Sequence, residues 1–162
     1  METTAIGIDA RGYLSDWLEM VSGMMVSDIK AIPDEKWTEP FGGCTRASNS
    51  LLADTVTFLN WTEAAMKEKE SDAYDHMKEL AETFADKQLA IDSFIKAVAD
   101  FKATLAAASD ETLNKAVKAP WQAPTPIFML ATIAVNHIWY HDGQLNYVQC
   151  ILGDGAVHWM GE

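Results

Sequence analysis

The sequence predicts an all-α protein, a four-helix bundle. Three observations carry that expectation. Four long stretches repeat apolar side chains at three- and four-residue steps, which is the spacing of one helix face. The connections between them hold the prolines and the adjacent glycines, residues that break or turn a helix. The chain has 162 residues, of which 49% are hydrophobic, enough for one domain with a sizeable core.

The first helix is expected from about Asp9 to Lys30, where Leu14, Trp17, Leu18, Val21, Met24, Met25 and Ile29 keep the helical period. Its methionines read as adaptable core or dimer packing rather than a cofactor site. Pro33 ends the segment, because the residue before a proline is steered out of helical geometry. A loop with two prolines and the pair Gly42-Gly43 follows, and Trp37 and Phe41 are expected to fold back from it onto the bundle. The second helix runs from about Ser48 to Lys69, with Ser48 or Asn49 as cap. Leu51, Leu52, Thr55, Phe58, Leu59, Thr62 and Met66 point inward. Asp54 lies three after Leu51 and four before Phe58, on or beside that inward stripe. A carboxylate there needs a partner, since burying an unpaired charge is costly. A cation, an arginine or a backbone N–H would serve.

Ser71 to Ala85 is charged and mixed, a short helix or a helical approach to the next one. His76, among Asp72, Asp75 and Glu79, reads as a solvated surface residue. The third long helix is expected from about Asp86 to Ala108, with Ile91, Phe94, Ile95, Val98, Phe101, Lys102 and Leu105 inward. Ser109 to Leu113 reads as a cap and a brief turn. The three prolines that follow exclude a long helix, though Ala116–Lys118 could pair briefly as a strand.

The last helix is expected to open with Thr125 as N-cap and Pro126 at the first helical position, and to close at Gly153. Leu130, Ile133, Ala134, His137, His141, Leu145, Val148 and Leu152 form its inward face. Two histidines thus sit one turn apart on a face that should be buried. Imidazoles at i and i+4 can aim at one point and supply two metal ligands; the other reading is a pair of hydrogen-bonded core histidines. The chain has no Glu-x-x-His, which sets aside a di-iron carboxylate bundle, and His-Ile-Trp-Tyr-His lacks the glutamate base of a helical metalloprotease.

Net charge is −12, a balance that repels phosphate backbones and anionic lipid, so neither nucleic acid nor a membrane surface is an expected partner. No apolar run approaches the roughly 20 residues that span a bilayer. The first residues lack a basic and apolar leader, and a cytoplasmic location is expected. Cys44 and Cys150 read as free thiols.

The segment from Asn136 to Gly153 resembles the last-helix signature of the DinB/YfiT-like family, an H-x-x-x-H followed by x-G-Q. His137, His141, Gly143 and Gln144 carry the match. The position after the second histidine is often Arg in that family and is Asp142 here. The resemblance continues more weakly through the chain. It implies an up-down-down-up bundle with a long crossover, often paired as a homodimer. It also implies a divalent metal (zinc, nickel or iron) and chemistry between a low-molecular-weight thiol and an electrophile. The family's first metal-binding histidine, in a pattern like L-L-x-H, falls where this chain reads Leu51-Leu52-Ala53-Asp54. Asp54 therefore has two readings. It replaces the imidazole, giving a site of Asp54, His137 and His141 with open positions. Or the metal has been lost and Asp54 hydrogen-bonds to a histidine. The resemblance makes Trp121 a candidate pocket wall, Tyr140 a candidate pocket residue, and Gln144 a candidate for orienting a ligand, or else a packing amide. Trp139 lies off the histidine face and is expected to pack. The functional expectation is a metal-dependent transferase or isomerase. The alternative is a non-catalytic bundle with a degenerate site that binds a small molecule or serves in stress response.

Overall fold

The computed structural model describes residues 9–160. It is mostly helical, as an all-α protein should be. The elements run α1 (Ala10–Ala31), a single 3-10 turn (Asp34–Lys36), α2 (Ser48–Met66), α3 (Met77–Thr83), α4 (Lys87–Ala107), α5 (Asp110–Asn114), β1 (Ala116–Lys118), β2 (Pro124–Pro126) and α6 (Ile127–Ile151).

Short polar side chains start three of the helices by accepting an otherwise orphan backbone N–H. Asp9 accepts from Gly12 at 2.9 Å, Asp86 from Leu89 at 3.0 Å and Ser109 from Thr112 at 3.0 Å. The expected cap at Thr125 is not formed. Thr125 pairs with Val117 in the antiparallel β1–β2 ribbon, and its hydroxyl donates to the Ala123 carbonyl at 3.2 Å. Pro126 is extended at ψ 140, and α6 begins one residue later. The Ile127 amide donates instead to the Lys115 carbonyl, so the ribbon anchors the start of α6. At the other end Gly153 takes φ +90, and the Gly153 and Asp154 amides close back on Cys150 and Gln149.

In the core, α6 packs on α1 and on α2, and both of those pack on α4. Leu18, Val21, Met25, Leu52, Leu59, Phe94, Phe101 and Ile138 lie in one apolar cluster. Ile95 is not among them. It is half exposed, and Ala90 and Ala97 take the inward places beside Ile91 and Phe94. Trp37 folds back as expected: it is buried and donates from Nε1 to the Phe84 carbonyl at 2.7 Å. Asn49 reaches the Ala81 carbonyl at 2.8 Å, so the start of α2 holds α3 in place.

The seam between α1 and α6 holds two contrasting features. Trp17 and Trp139 stack with ring centroids 4.6 Å apart and 16° between planes, so Trp139 packs as expected. Further along, Asp28 and Asp142 are both buried. Asn146 donates to Asp28 Oδ2 at 2.6 Å, and Gln149 donates to the Asp28 carbonyl at 2.9 Å. Burial, then the hydrogen bond with Asp28 and its charge, push the Asp142 carboxyl up to about 8. No described helix is long and apolar enough to cross a membrane.

Candidate metal centre

Because α6 is seated between α1 and α2, its His137–His141 face turns toward the middle of α2, where Asp54 projects. One ligand atom from each of Asp54, His137 and His141 lies within 4.8 Å of the others. His141 Nε2 is 2.9 Å from His137 Nε2 and 3.4 Å from Asp54 Oδ2; His137 Nε2 is 4.0 Å from the same oxygen. The i,i+4 spacing brings the two imidazoles together, and Leu51 and Phe58 set the rotation of α2 that adds the carboxylate.

The tautomer of His141 follows from its far side. Its Nδ1 lies 2.7 Å from Gln144 Oε1. A carbonyl oxygen only accepts, so Nδ1 carries a hydrogen, and Nε2 is the ring nitrogen turned to the triad, where it can ligate a cation once it is free of its own proton. This is the arrangement in which an outer hydrogen bond fixes a ligand imidazole. His137 has no such support: its Nδ1 is buried without a partner. Burial, with His141 beside it, pushes His137 down to about 4 against the pull of Asp54, so it is neutral at neutral pH. Burial works to raise the Asp54 carboxyl. The hydrogen bonds of His141 and Arg46 with it, and the positive charge of the imidazoles whenever they are protonated, outweigh it and hold the group well below the usual carboxylate range.

Two imidazoles and one carboxylate are a donor set for zinc, nickel or iron. Ligands at about 2.1 Å from a tetrahedral ion lie about 3.4 Å apart. The three observed separations bracket that figure. His141 is fully buried, whereas the His137 and Asp54 side chains are 21% and 18% exposed, which leaves an open side. The residues present therefore fit a divalent cation.

Aromatic rings wall the site. Phe58 meets His137 edge-on at 5.3 Å. Tyr140 lies parallel to His137 at 6.4 Å and edge-on to His141 at 5.0 Å, while remaining exposed to solvent. Trp121 joins this wall through Phe58, at 6.3 Å, and is half exposed. His76 is a surface residue near Asp72, as expected. Two residues near the triad were not singled out from sequence. Arg46, in the loop before α2, donates to Asp54 Oδ2 at 2.7 Å. Tyr74, in the charged and mixed stretch after α2, has its hydroxyl pushed up to about 12 by burial and by the charge of Asp54. A single arginine in a loop beside a buried-side carboxylate was the available signal for the first; nothing local marks the second.

A scan against protein-family models finds no match to this chain. A search of curated proteins finds no matching sequence either.

Proposed function

We propose that the chain is a DinB/YfiT-like metalloprotein, a four-helix bundle of up-down-down-up topology with a long crossover. In this reading Asp54, His137 and His141 hold zinc, nickel or iron. The protein then acts as a transferase or isomerase that works with a low-molecular-weight thiol at the metal. The observation that carries the reading is the convergence of the three donors, with His141 held in its metal-binding tautomer by Gln144. A divalent cation there supplies the Lewis acidity that brings a thiol to thiolate near neutral pH. The chain's own residues do the rest. Gln144 orients His141. Phe58 and Tyr140 limit water around His137. Arg46 balances the charge of Asp54 and presents positive charge at the open side. Pairing as a homodimer is part of the proposal through the resemblance alone.

A second reading has its own observation. Asp54 is already paired with Arg46, a partner that could replace the cation in a non-catalytic bundle. Metal content per chain, measured by mass spectrometry on protein purified without an affinity tag, separates the two. The metalloprotein reading expects near-stoichiometric metal, or full reloading with zinc, and loss in both His141→Ala and Asp54→Ala. A wild type that cannot be loaded with zinc, nickel or iron overturns it. Metal lost only in His141→Ala removes Asp54 from the ligand set.

A further inference from the structure

Arg46 and Gln144 each hydrogen-bond to a member of the metal triad, and both also line a cleft. This cleft, of about 560 Å³, lies between the loop before α2 and the last turns of α6. That volume is typical of small-molecule sites. Its walls are largely apolar: Phe41, Leu51, Tyr147, Val148 and Ile151 face it, with Tyr147 70% and Ile151 52% exposed. The loop wall is shaped by its own bonds. The Thr45 hydroxyl accepts from the Phe41 amide and donates to the Gly42 carbonyl, both at 2.8 Å, across glycines at φ +96 and +58.

Charge decides what such a cleft accepts. The chain carries 24 acidic and 12 basic side chains, yet the single charged residue lining this cleft is Arg46. Its only described hydrogen bond is the one from Nη1 to Asp54, and its side chain is 42% exposed. Its other N–H groups are therefore free to meet a ligand. Gln144 is placed alike: Oε1 is engaged by His141, and its amide nitrogen has no partner among the described residues. Asp54 engages Nη1 of Arg46 from outside the cleft, and no carboxylate lines the cleft itself, so the remaining guanidinium N–H groups and the Gln144 amide face an apolar slot. A net charge of −12 opposes polyanions, and one guanidinium suits one carboxylate.

We propose that this cleft binds a small carboxylic acid with a ring-sized apolar body. Arg46 and the Gln144 amide take the carboxylate, and Phe41, Tyr147 and Ile151 take the body. The site goes beyond the metalloprotein reading and does not require the metal.

The test uses the full chain after chelator treatment, titrated by calorimetry with phenylbutyrate and with phenylbutanol, its neutral analogue. The acid is expected to bind at least about tenfold more tightly than the alcohol, as a charge-assisted pair adds to the shared apolar contact. Arg46→Gln should erase that preference while keeping the alcohol's affinity, and Tyr147→Ala should weaken both probes. Equal affinities in the wild type, a preference that survives Arg46→Gln, or no binding of either probe overturns the proposal. Should Arg46→Gln fail to fold, Ile151→Glu places a carboxylate in the same slot and must invert the preference. Zinc titration of the same preparation reports on the triad alone. Zinc uptake without probe binding therefore refutes the cleft and leaves the metal reading, and the converse holds too.

Discussion

Replacing Asp142 by asparagine should make the protein more stable at alkaline pH and change little at acidic pH. In the folded chain the Asp142 carboxyl is pushed up to about 8, against about 4 for an unfolded aspartate. The folded state therefore binds the extra proton between those values. The stability this proton supplies is complete below about pH 4, falls as pH rises, and is gone above about pH 8. If Asp142 bore the whole effect, about four units at 1.4 kcal/mol each would give roughly 5–6 kcal/mol. Asn146 and Gln149 already hold Asp28 beside it, which eases the burial of charge there, so about 2–3 kcal/mol is expected in practice. Asp142→Asn removes the titration and keeps a side-chain N–H that can donate to Asp28. Urea unfolding followed by circular dichroism, at pH 5 and pH 8, reads the effect as a difference between variant and wild type. The other titrating groups then cancel. The variant should gain about 2 kcal/mol at pH 8, some 4–8 °C in Tm, and about 1 kcal/mol at pH 5, one unit above the unfolded value. A gap of the same size at both pH values would refute the raised titration of Asp142.

Gln144→Ala should weaken zinc binding by about 10–100-fold, measured by competition with a chromophoric chelator, because His141 loses the bond that fixes its tautomer. Unchanged affinity would mean that His141 does not bind through Nε2. Arg46→Gln should strengthen zinc binding by about fivefold, roughly 1 kcal/mol, since a competing cation leaves Asp54 Oδ2. A loss of affinity would show that Arg46 supports the site instead. Trp37→Phe should cost about 1–3 kcal/mol in denaturant unfolding, as the Phe84 carbonyl loses its buried donor. A loss under a few tenths would indicate that water replaces the indole N–H.

The long helices could be read from sequence because each shows an inward stripe, and Leu14, Leu18, Val21, Met25 and Ile29 are buried as their spacing requires. The reading fails where tertiary contacts outrank a local signal. Thr125-Pro126 is a good helix start by itself, but pairing with Ala116–Lys118 draws both residues into an extended ribbon. Ile95 is apolar at a helical step from Ile91 yet falls outside the packed face, since the pattern fixes a stripe and not its width. Asp28, Asn146 and Gln149 escaped notice because an apolar pattern counts polar residues as surface, and their pairing is settled by partners more than a hundred positions away. The triad was legible because two of its members obey a helical rule. Arg46 was not, since a loop side chain finds its partner only once the loop is folded.

The Trp17–Trp139 pair also has an optical consequence. Two indoles 4.6 Å apart, held at a fixed angle by two different helices, couple their electronic transitions and should give a paired positive and negative band in the ultraviolet circular dichroism. The band depends on the docking of α6 against α1 and not on helix content. In partial denaturant it should vanish before the helical signal does if the seam opens first, and together with it if the molecule unfolds as one unit. The same helix carries both histidines and, with Arg46 and Leu51, frames the cleft beside them. The chain thus contains its own spectroscopic gauge of whether its candidate sites are assembled.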